Sequence, residues 1–307
     1  MNKAIVLTGP TAVGKTELAI DIARKFGGKI LNCDSMQIYK YMDIGSAKPT
    51  PEERRAAVHH LIDFVDPGEE FSVAKYACLA RAELKKMSKK NILPVISGGT
   101  GLYINSIIYN MDFAGTGGDE ELRKELYREA EKKGNDVLYD RLCTLNPELA
   151  STLHANNTQR LVRALERVIV NSEPQRKFEA AVKKNKEYDF ILICINRDRQ
   201  ELYDRINLRV DKLFEEGLVD EVSSLISYGY GSKNISMKGI GYKEVIGYLE
   251  GKYSLDESIS LVKRNTRRFA KRQLTWFKRY EDMIWFDLSD GEKEKIFKYI
   301  EDELSRS

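Results

Sequence analysis

The chain has 307 residues, of which 42% are hydrophobic and 32% are charged, and its formal net charge is +3. Its mean hydropathy is -0.45 and no apolar run reaches the length of a membrane span, so the composition argues against a membrane protein. The four cysteines lack C-x-x-C spacing, which argues against zinc and disulfides and favours the cytoplasm, and the net charge alone does not indicate a nucleic-acid partner.

The first motif is a phosphate loop between a strand and a helix. Apolar residues 4–8 predict the strand, GPTAVGKT at 9–16 matches G-x-x-x-x-G-K-[ST], and residues 17–26 have helical spacing. In this context the backbone N–H groups face an anion, Lys15 adds a positive charge, and the hydroxyl of Thr16 can hold a magnesium ion. The predicted phosphate-binding residues are Gly9, Pro10, Thr11, Ala12, Val13, Gly14, Lys15 and Thr16.

Alternating strands and helices predict a parallel α/β sheet around this loop. After the first helix the patterns predict a strand, a loop, a helix, a third strand and a further helix start, at 29–35, 36–53, 73–90, 92–97 and 101–108. Strands that are apolar throughout are typical of a parallel sheet with helices on both faces. Ligands of such sheets bind beyond the carboxyl ends of the strands, so the turns at those ends should converge.

Asp34 ends the second predicted strand, and no other acid occupies such a position. It could bind magnesium or accept a proton from a nucleophile, or it could only cap the following turn. The third strand ends in Ser97, where a nucleotide-hydrolysing protein would carry a Walker-B aspartate. Gly98, Gly99 and Thr100 either bring the backbone close to a ligand or form a tight strand-to-helix turn.

A strongly charged segment with only helix patterns interrupts the sheet, whose pattern resumes at 189–196. We expect a sheet domain in two pieces and a helical insertion, over 1–113, 187–307 and 114–186. The alternative is that these helices are ordinary crossovers packed on the sheet. Arg160, Arg163 and Arg167 lie at helical spacing in this segment, and they either bind phosphate or pair with Glu166 and its neighbours.

The last part of the chain contains a long basic helix, predicted over 261–280, and a strand at 283–287. Eight basic residues stand in this helix with no acid among them: Lys263, Arg264, Arg267, Arg268, Lys271, Arg272, Lys278 and Arg279. A solvated charge run normally mixes signs, so a surface for a phosphate backbone or a diphosphate is favoured. Arg205 and Arg209, one turn apart on a helix predicted over 199–217, can meet an anion together.

Two functions remain open from the residues alone. One is a P-loop kinase for a nucleoside or other small molecule, and the other is an enzyme that modifies RNA with a phosphorylated donor. Only the second accounts for the basic helix and the arginines of the insertion. A non-catalytic RNA-binding ATPase lacks the expected Walker-B strand. His59, His60 and His154 have no metal-like spacing, and we assign them structural roles.

Six motifs run in order across nearly the whole chain: GPTAVGKT (9–16), DSMQIYKYMDIGSAKP (34–49), GGTGLY (98–103), QRLVRALE (159–166), IGYKE (240–244) and TRRFAKRQLTWF (266–277). With them the sequence resembles the bacterial tRNA dimethylallyltransferases, the isopentenyl-transferring enzymes. It departs from the family where His-Pro-Asn-Asp and Thr-Gly-Lys-Pro are usual. Those stretches are here His154-Ala155-Asn156-Asn157 and Asn171-Ser172-Glu173-Pro174.

The resemblance implies a P-loop NTPase-like parallel sheet, flanked by helices, with an inserted all-helical tRNA-binding domain. It implies transfer of a dimethylallyl group from dimethylallyl diphosphate to N6 of the adenosine 3′ of the anticodon, in tRNAs that read codons starting with U. Lys15, the loop amides and Thr16 with Mg²⁺ would bind the diphosphate, and Arg209 and Arg205 would add charge. Asp34 would accept the N6 proton, and Thr100 would contact the base or the donor.

The resemblance also implies that the partner is tRNA, held by its anticodon stem-loop with the target adenine flipped into a pocket. The residues that match the family's tRNA contacts are Asp34, Ser35, Met36, Gln37, Thr100, Arg123, Gln159, Arg160, Leu161, Val162, Arg163, Lys238, Gly239, Ile240, Gly241, Tyr242 and Lys243. The basic helix adds Arg268 and Lys271. We expect a monomer with no membrane partner.

Overall fold

The computed structural model describes residues 2–109, 111, 119–171 and 184–306. Its strands and helices, in chain order, are β1 (Asn2–Thr8), α1 (Lys15–Lys25), β2 (Lys29–Asn32), α2 (Pro51–Ala56), β3 (His59–His60), α3 (Val73–Lys89), β4 (Pro94–Ser97), α4 (Gly101–Ile108), α5 (Glu120–Lys133), α6 (Asn135–Leu145), α7 (Pro147–Ser151), α8 (Thr158–Asn171), β5 (Tyr188–Asn196), α9 (Arg199–Glu215), α10 (Leu218–Ser227), α11 (Tyr242–Leu249), α12 (Leu255–Phe277), β6 (Ile284–Asp287) and α13 (Lys293–Ser305). None of the described helices is long and apolar enough to span a bilayer.

The six strands form one parallel sheet in the order β3-β2-β4-β1-β5-β6. The central strand, β1, is paired along its whole length with β5, from Asn2 opposite Tyr188 to Thr8 opposite Cys194. Because alternate side chains of a strand point to opposite faces, Ile5 and Leu7 join one core and Ala4 and Val6 join the other. The predicted parallel sheet with helices on both faces is confirmed.

Two predicted boundaries near the phosphate loop were wrong. The second strand ends at Asn32, so Asp34 and Ser35 belong to the turn that follows it. The loop predicted to reach residue 53 gives way to α2 at Pro51, because the Thr50 side chain accepts from the Glu53 N–H and Glu53 binds back to the Thr50 N–H. The two-residue strand β3 is too short to produce a readable pattern.

The basic helix also has other limits than predicted. It begins at Leu255 rather than 261, since Ser254 and Glu257 form a capping box ahead of the basic run, and it ends at Phe277 rather than 280. On α3, the apolar residue Leu79 is 38% exposed and lies outside the buried face. The buried face of α3 is formed instead by Tyr76, Ala77, Ala80, Leu84 and Met87.

The chain divides into two compact units, Asn110–Lys184 and Met1–Tyr109 with Asn185–Ser307. The smaller one, called here the helical unit, packs α5, α6, α7 and α8 around a core that includes Leu126, Leu138, Leu142 and Leu165. The larger one, called here the sheet unit, contains all six strands. The predicted boundary after residue 113 and the Ser172-Glu173-Pro174 departure lie outside the described residues.

Candidate active site

The phosphate loop joins the end of β1 to the start of α1 and contains three residues with left-handed backbone. Gly9 has φ +151°, and a Cβ there would lie 2.3 Å from the backbone oxygen of Ile195 on the neighbouring strand. Gly14 has φ +108° and caps α1, while Ala12 takes φ +64°, which is uncommon for a residue other than glycine. Close packing therefore fixes an unusual loop conformation beside the helix N-terminus.

A cavity of about 410 Å³ opens beside this loop, at the carboxyl ends of the strands. It brings together most of the residues predicted to bind phosphate or to react. These are Thr11, Ala12, Gly14, Lys15, Thr16, Asp34, Arg205 and Arg209, which line the cavity together with Gly98 and the predicted tRNA contact Gln37. Gly9, Pro10, Val13 and Thr100 are not among its lining residues. The predicted convergence of strand ends is confirmed for the phosphate loop, the turn after β2 and the turn after β4.

Lys15 carries a perturbed positive charge in this cavity. Its Nζ donates to the backbone oxygen of Pro10 at 2.7 Å. Burial, aided by the charge of Arg209, lowers the pKa of Lys15 to about 8, although the charge of Asp34 opposes the shift. Burial also lowers the pKa of Arg209, and Asp34 again opposes it. The cavity thus holds two poorly solvated cations, which an incoming anion would stabilise.

Asp34 has two roles in the structure. Its Oδ1 accepts the N–H of Met36 at 2.8 Å, so the carboxylate does cap the turn after β2. The same residue lines the cavity with Lys15 and Arg209. The capping alternative is therefore correct, but it does not exclude a chemical role for this carboxylate.

Gln273, on α12, ties two of the site loops together from a buried position. Its Oε1 accepts the N–H of Thr11 at 2.9 Å and its Nε2 donates to the backbone oxygen of Gly99 at 2.9 Å. A Cβ at Gly99 would lie 2.2 Å from that Nε2 atom. One amide side chain therefore fixes the distance between the phosphate loop and the turn after β4.

We expect Gln273→Leu to lower the free energy of unfolding of the sheet unit by about 1–3 kcal/mol, because it leaves the two backbone groups unpaired at a buried position. Urea unfolding can be followed by tryptophan fluorescence, since Trp276 and Trp285 both lie in this unit. Gln200→Leu is the matched control: its amide bonds Asp204 on the surface, and we expect a change within about 0.5 kcal/mol. Equal effects of the two substitutions would contradict the role of Gln273.

The turn at Gly98, Gly99 and Thr100 packs against protein atoms. A Cβ at Gly98 would lie 2.2 Å from the backbone oxygen of Cys33, which accounts for glycine at this position. The hydroxyl of Thr100 accepts the N–H of Ser35 at 2.9 Å and lies 3.2 Å from the Ser35 hydroxyl. The tight-turn alternative therefore explains the glycines, and Thr100 connects the turns after β2 and β4.

Helix α9 supplies three cationic residues to the cavity. Arg205 and Arg209 were predicted, and the Nε of Arg205 donates to the backbone oxygen of Ala12 at 3.0 Å. Lys212, one turn after Arg209, also lines the cavity and was missed. Its spacing from Arg205 and Arg209 could have identified it. Two further cavity residues were missed: Glu53, on α2, and His59, the first residue of β3.

The basic helix does not present all its charges to solvent. Lys263 pairs with Asp211 at 2.6 Å, and Arg267 donates to Asn207 at 2.5 Å, so both are engaged with α9. These two of the eight basic residues therefore take part in packing between helices and are not wholly available to a phosphate backbone. Exposed basic residues remain on it: Arg264, Arg268, Lys271 and Arg272.

The helical unit separates its predicted tRNA contacts into exposed and buried residues. Leu161 and Val162 are fully buried in its core, so their assignment to direct RNA contact was wrong. Gln159, Arg160 and Arg163 are exposed. The buried carboxylate of Glu166 accepts a bidentate pair from Arg123, at 2.7 and 3.1 Å, and lies 3.5 Å from Arg163. The ion-pairing alternative therefore holds for Arg163, while Arg167 donates to the backbone oxygen of Arg163.

The predicted contact stretches 34–37 and 238–243 adjoin each other: a Cβ at Gly239 would lie 2.4 Å from Cε of Met36. Lys238 and Lys243 are exposed, but Tyr242 is fully buried, so its assignment to direct contact was wrong. The Tyr242 hydroxyl donates to Glu221 at 2.8 Å. Glu221 also accepts three consecutive backbone N–H groups, of residues 43–45, and so holds the loop that carries Gln37.

The residues at the cavity fit a magnesium ion. Thr16 and Asp34 both line it, and hydroxyl and carboxylate oxygens are ligands that Mg²⁺ accepts. Within the described residues no three His, Cys, Asp or Glu side chains cluster to form an all-protein cage. This agrees with the usual Mg²⁺ site, in which one or two protein oxygens combine with water and substrate phosphates.

Comparisons with known proteins agree on one family. Residues 37–280 match the family model described as IPP transferase, and residues 2–64 match one described as isopentenyl transferase. A tRNA dimethylallyltransferase of Alkaliphilus oremlandii is 49% identical over 94% of this chain and 92% of its own length, and one of Clostridioides difficile is 48% identical over 98% of both. The crystal structure of a tRNA isopentenylpyrophosphate transferase from Bacillus halodurans superposes with a TM-score of 0.75 at 39% identity, over 99% of this chain and 97% of the other.

Proposed function

This chain belongs to the IPP transferase family, and on that premise we propose that it transfers a dimethylallyl group from dimethylallyl diphosphate to tRNA. The acceptor is N6 of the adenosine 3′ of the anticodon, in tRNAs that read codons starting with U. The observation that carries this proposal is that Lys15, Arg209 and Asp34 line the same cavity. The cavity therefore combines an anion site with a carboxylate that can accept a proton, as transfer from a diphosphate to an amine requires.

The cations stabilise the leaving group. An exocyclic amine is a weak nucleophile, so the allylic carbon must carry positive charge as its bond to the diphosphate oxygen breaks. Lys15, Arg209 and the loop N–H groups oppose the negative charge that develops on the departing diphosphate, and Arg205 adds to them. Thr16 would hold Mg²⁺ here, and the ion would neutralise further phosphate charge.

Asp34 acts on the acceptor. The N6 amine loses a proton when its nitrogen bonds to carbon, and the Asp34 carboxylate takes that proton. Its bond to the Met36 N–H holds the carboxylate in place. The adenine reaches this position by leaving the base stack of the anticodon loop, which is single-stranded and so costs less to unstack than a duplex.

Exposed basic residues of both units bind the tRNA backbone. In the sheet unit these include Lys238, Lys243, Arg268 and Lys271, and in the helical unit they include Arg160 and Arg163. Thr100, Ser35 and Gln37 stand at or beside the cavity, where the flipped base enters.

In the direct test, the protein is incubated with unmodified tRNA and with dimethylallyl diphosphate labelled in the dimethylallyl carbons. We expect the label in tRNA, with release of diphosphate that depends on Mg²⁺. A parallel reaction with γ-labelled ATP and nucleosides tests phosphoryl transfer. Phosphate on a nucleoside, with no carbon label in tRNA, would identify a kinase and overturn the proposal.

We expect the double charge reversal Arg268→Glu and Lys271→Glu to weaken tRNA binding and to reduce its salt dependence. Each lost phosphate contact removes about 0.7–0.9 from the slope of log K against log salt. Binding is measured at several salt concentrations, with the double reversal Lys85→Glu and Lys89→Glu, at two exposed sites on α3, as a control for the same change in net charge. A salt slope equal to that of the wild type would show that this face does not meet the phosphate backbone.

The pKa of Lys15, about 8, also predicts a pH dependence. The free enzyme holds this proton below pH 8 and loses it as the pH rises through 8, and only the protonated form attracts the diphosphate. We therefore expect kcat/KM for the donor to fall above pH 8. In Lys15→Arg the fall should move to higher pH, because the guanidinium keeps its charge. If kcat/KM for the donor falls over the same pH range in both proteins, the titration of Lys15 is not the cause of the fall.

A further inference from the structure

A second cavity, of about 260 Å³, lies where the end of β5 and the start of α9 meet α12. Its apolar lining comes from Leu202, Ala270 and Leu274. This volume is just below the range of about 300–1,000 Å³ that is usual for whole small-molecule ligands, so it suits a single planar ring. Among its lining residues only Lys271 has a role in the proposed function, in binding the tRNA backbone.

The rim of this second cavity is cationic and aromatic. The guanidinium of Arg199 lies 5.3 Å from the centre of the Tyr203 ring, and Lys271 stands on the α12 side, exposed. The neighbouring acids are engaged elsewhere. Asp198 accepts the N–H groups of residues 200 and 201, while Glu201 pairs with Arg197 at 2.5 Å. Positive charge at the rim is therefore available to an anion.

Asn196 provides a polar group without a partner. It lines the cavity, and its Oδ1 atom is buried with no hydrogen-bond partner among the described residues. A buried acceptor that finds no partner within the fold costs free energy, and a bound water or a ligand can offset that cost. After a rotation of the Asn196 side chain that turns Oδ1 towards the cavity, a ligand N–H group would satisfy it.

From these features we propose that the second cavity binds one unstacked nucleotide of the substrate tRNA, other than the reacting adenosine. The base lies on the apolar floor beside Tyr203, one of its N–H groups donates to Asn196 Oδ1, and its phosphate meets Arg199 and Lys271. Aromatic stacking, a cation and one base-edge contact are the means by which proteins hold single-stranded nucleotides. This inference rests on the proposed function.

The position of Arg197 connects this subsite to the phosphate loop. Arg197 lines the second cavity, and its Nε donates to the backbone oxygen of Val13 at 3.0 Å. A nucleotide bound in the second cavity therefore contacts Arg197, which is hydrogen-bonded to the phosphate loop. The subsite therefore orients the anticodon loop relative to the donor site, and its loss should raise KM for tRNA more than KM for the donor.

Binding of a labelled, unmodified anticodon stem-loop tests the subsite in the full-length protein. Asn196→Leu should raise the Kd by about tenfold, the range expected for one base-edge contact, with an unchanged salt slope. Arg199→Ala should raise the Kd and reduce the salt slope by about 0.7, for one single-strand phosphate. Lys85→Ala, on α3, is the matched control and should leave Kd unchanged. The thermal midpoint of Asn196→Leu should equal or exceed that of the wild type, because an unpaired polar atom is removed.

The outcomes separate this inference from the proposed function. If the wild type transfers label to the stem-loop while both variants bind it as the wild type does, only the subsite is refuted. Should AMP or ATP bind the wild type and lose affinity in both variants while stem-loop binding is unaffected, the cavity takes a free nucleotide, and the RNA assignment is overturned. If Asn196→Leu is unstable, Asn196→Ala and Arg199→Lys repeat the test. The latter keeps the charge and should preserve the salt slope.

Discussion

Asp34→Asn should slow dimethylallyl transfer by about 10²–10⁴-fold, the usual contribution of a general base, while tRNA binding stays intact. The asparagine side chain retains an oxygen that can accept the Met36 N–H, so the turn after β2 should keep its shape. What it loses is the ability to take the proton from N6. Single-turnover rates with saturating enzyme separate this chemical step from binding.

A matched aspartate is available outside the cavity. Asp66 accepts the N–H of Gly68 at 2.8 Å, in the same kind of turn as Asp34, and Asp66→Asn should transfer at the wild-type rate. Asp34→Ala removes both the base and the cap, so it should be slower than Asp34→Asn or equal to it. Transfer by Asp34→Asn at the wild-type rate would leave Asp34 with the capping role alone.

Lys15→Met should reduce transfer by about 10²–10³-fold, as the loss of one preorganised charge at a developing anion does. Methionine has a similar length and keeps most of the apolar stem, so the loop around Pro10 should persist. Because the charge is needed most as the diphosphate departs, kcat should fall more than KM for the donor rises. Lys212→Met, at the α9 side of the same cavity, should have the smaller effect.

The discriminating readout for Lys15 is the leaving group. Donor analogues with a less basic leaving group need less stabilisation, so they should recover part of the rate lost in Lys15→Met. An equal loss for all donors would show that Lys15 acts on the fold or on binding, and it would contradict its assignment to the departing charge.

Most of the sheet could be predicted from the sequence because its signals are local. Strand β1, the phosphate loop and α1 form one contiguous pattern, and β5 is an apolar run that only a buried strand explains. The strand β3 and the start of α12 could not be predicted in this way. The first is two residues long and depends on its pairing with β2, and the second begins with a capping box ahead of the basic run that was used to find the helix.

Site residues could be predicted from the sequence where their charge and spacing indicate an anion site. They could not be predicted where a residue matches a motif but can equally well belong to the core. Lys15 and Arg209 were identified correctly as cavity residues, because their spacing and motif indicate an anion site. Tyr242, Leu161 and Val162 lie in matching motifs as well, but they are buried. A motif marks a stretch and does not state which side chains of that stretch face inward, since this depends on packing partners such as Glu221 that lie far away in sequence.

The fate of one nucleoside decides whether carbon or phosphate is transferred at the phosphate loop. Unmodified tRNA is incubated with the enzyme, Mg²⁺ and dimethylallyl diphosphate, then digested to nucleosides and examined by mass spectrometry. We expect the adenosine 3′ of the anticodon to gain one dimethylallyl group on N6, with one diphosphate released for each group transferred. Unmodified adenosine at that position, or a phosphorylated product in its place, would contradict the assignment of this cavity to prenyl transfer.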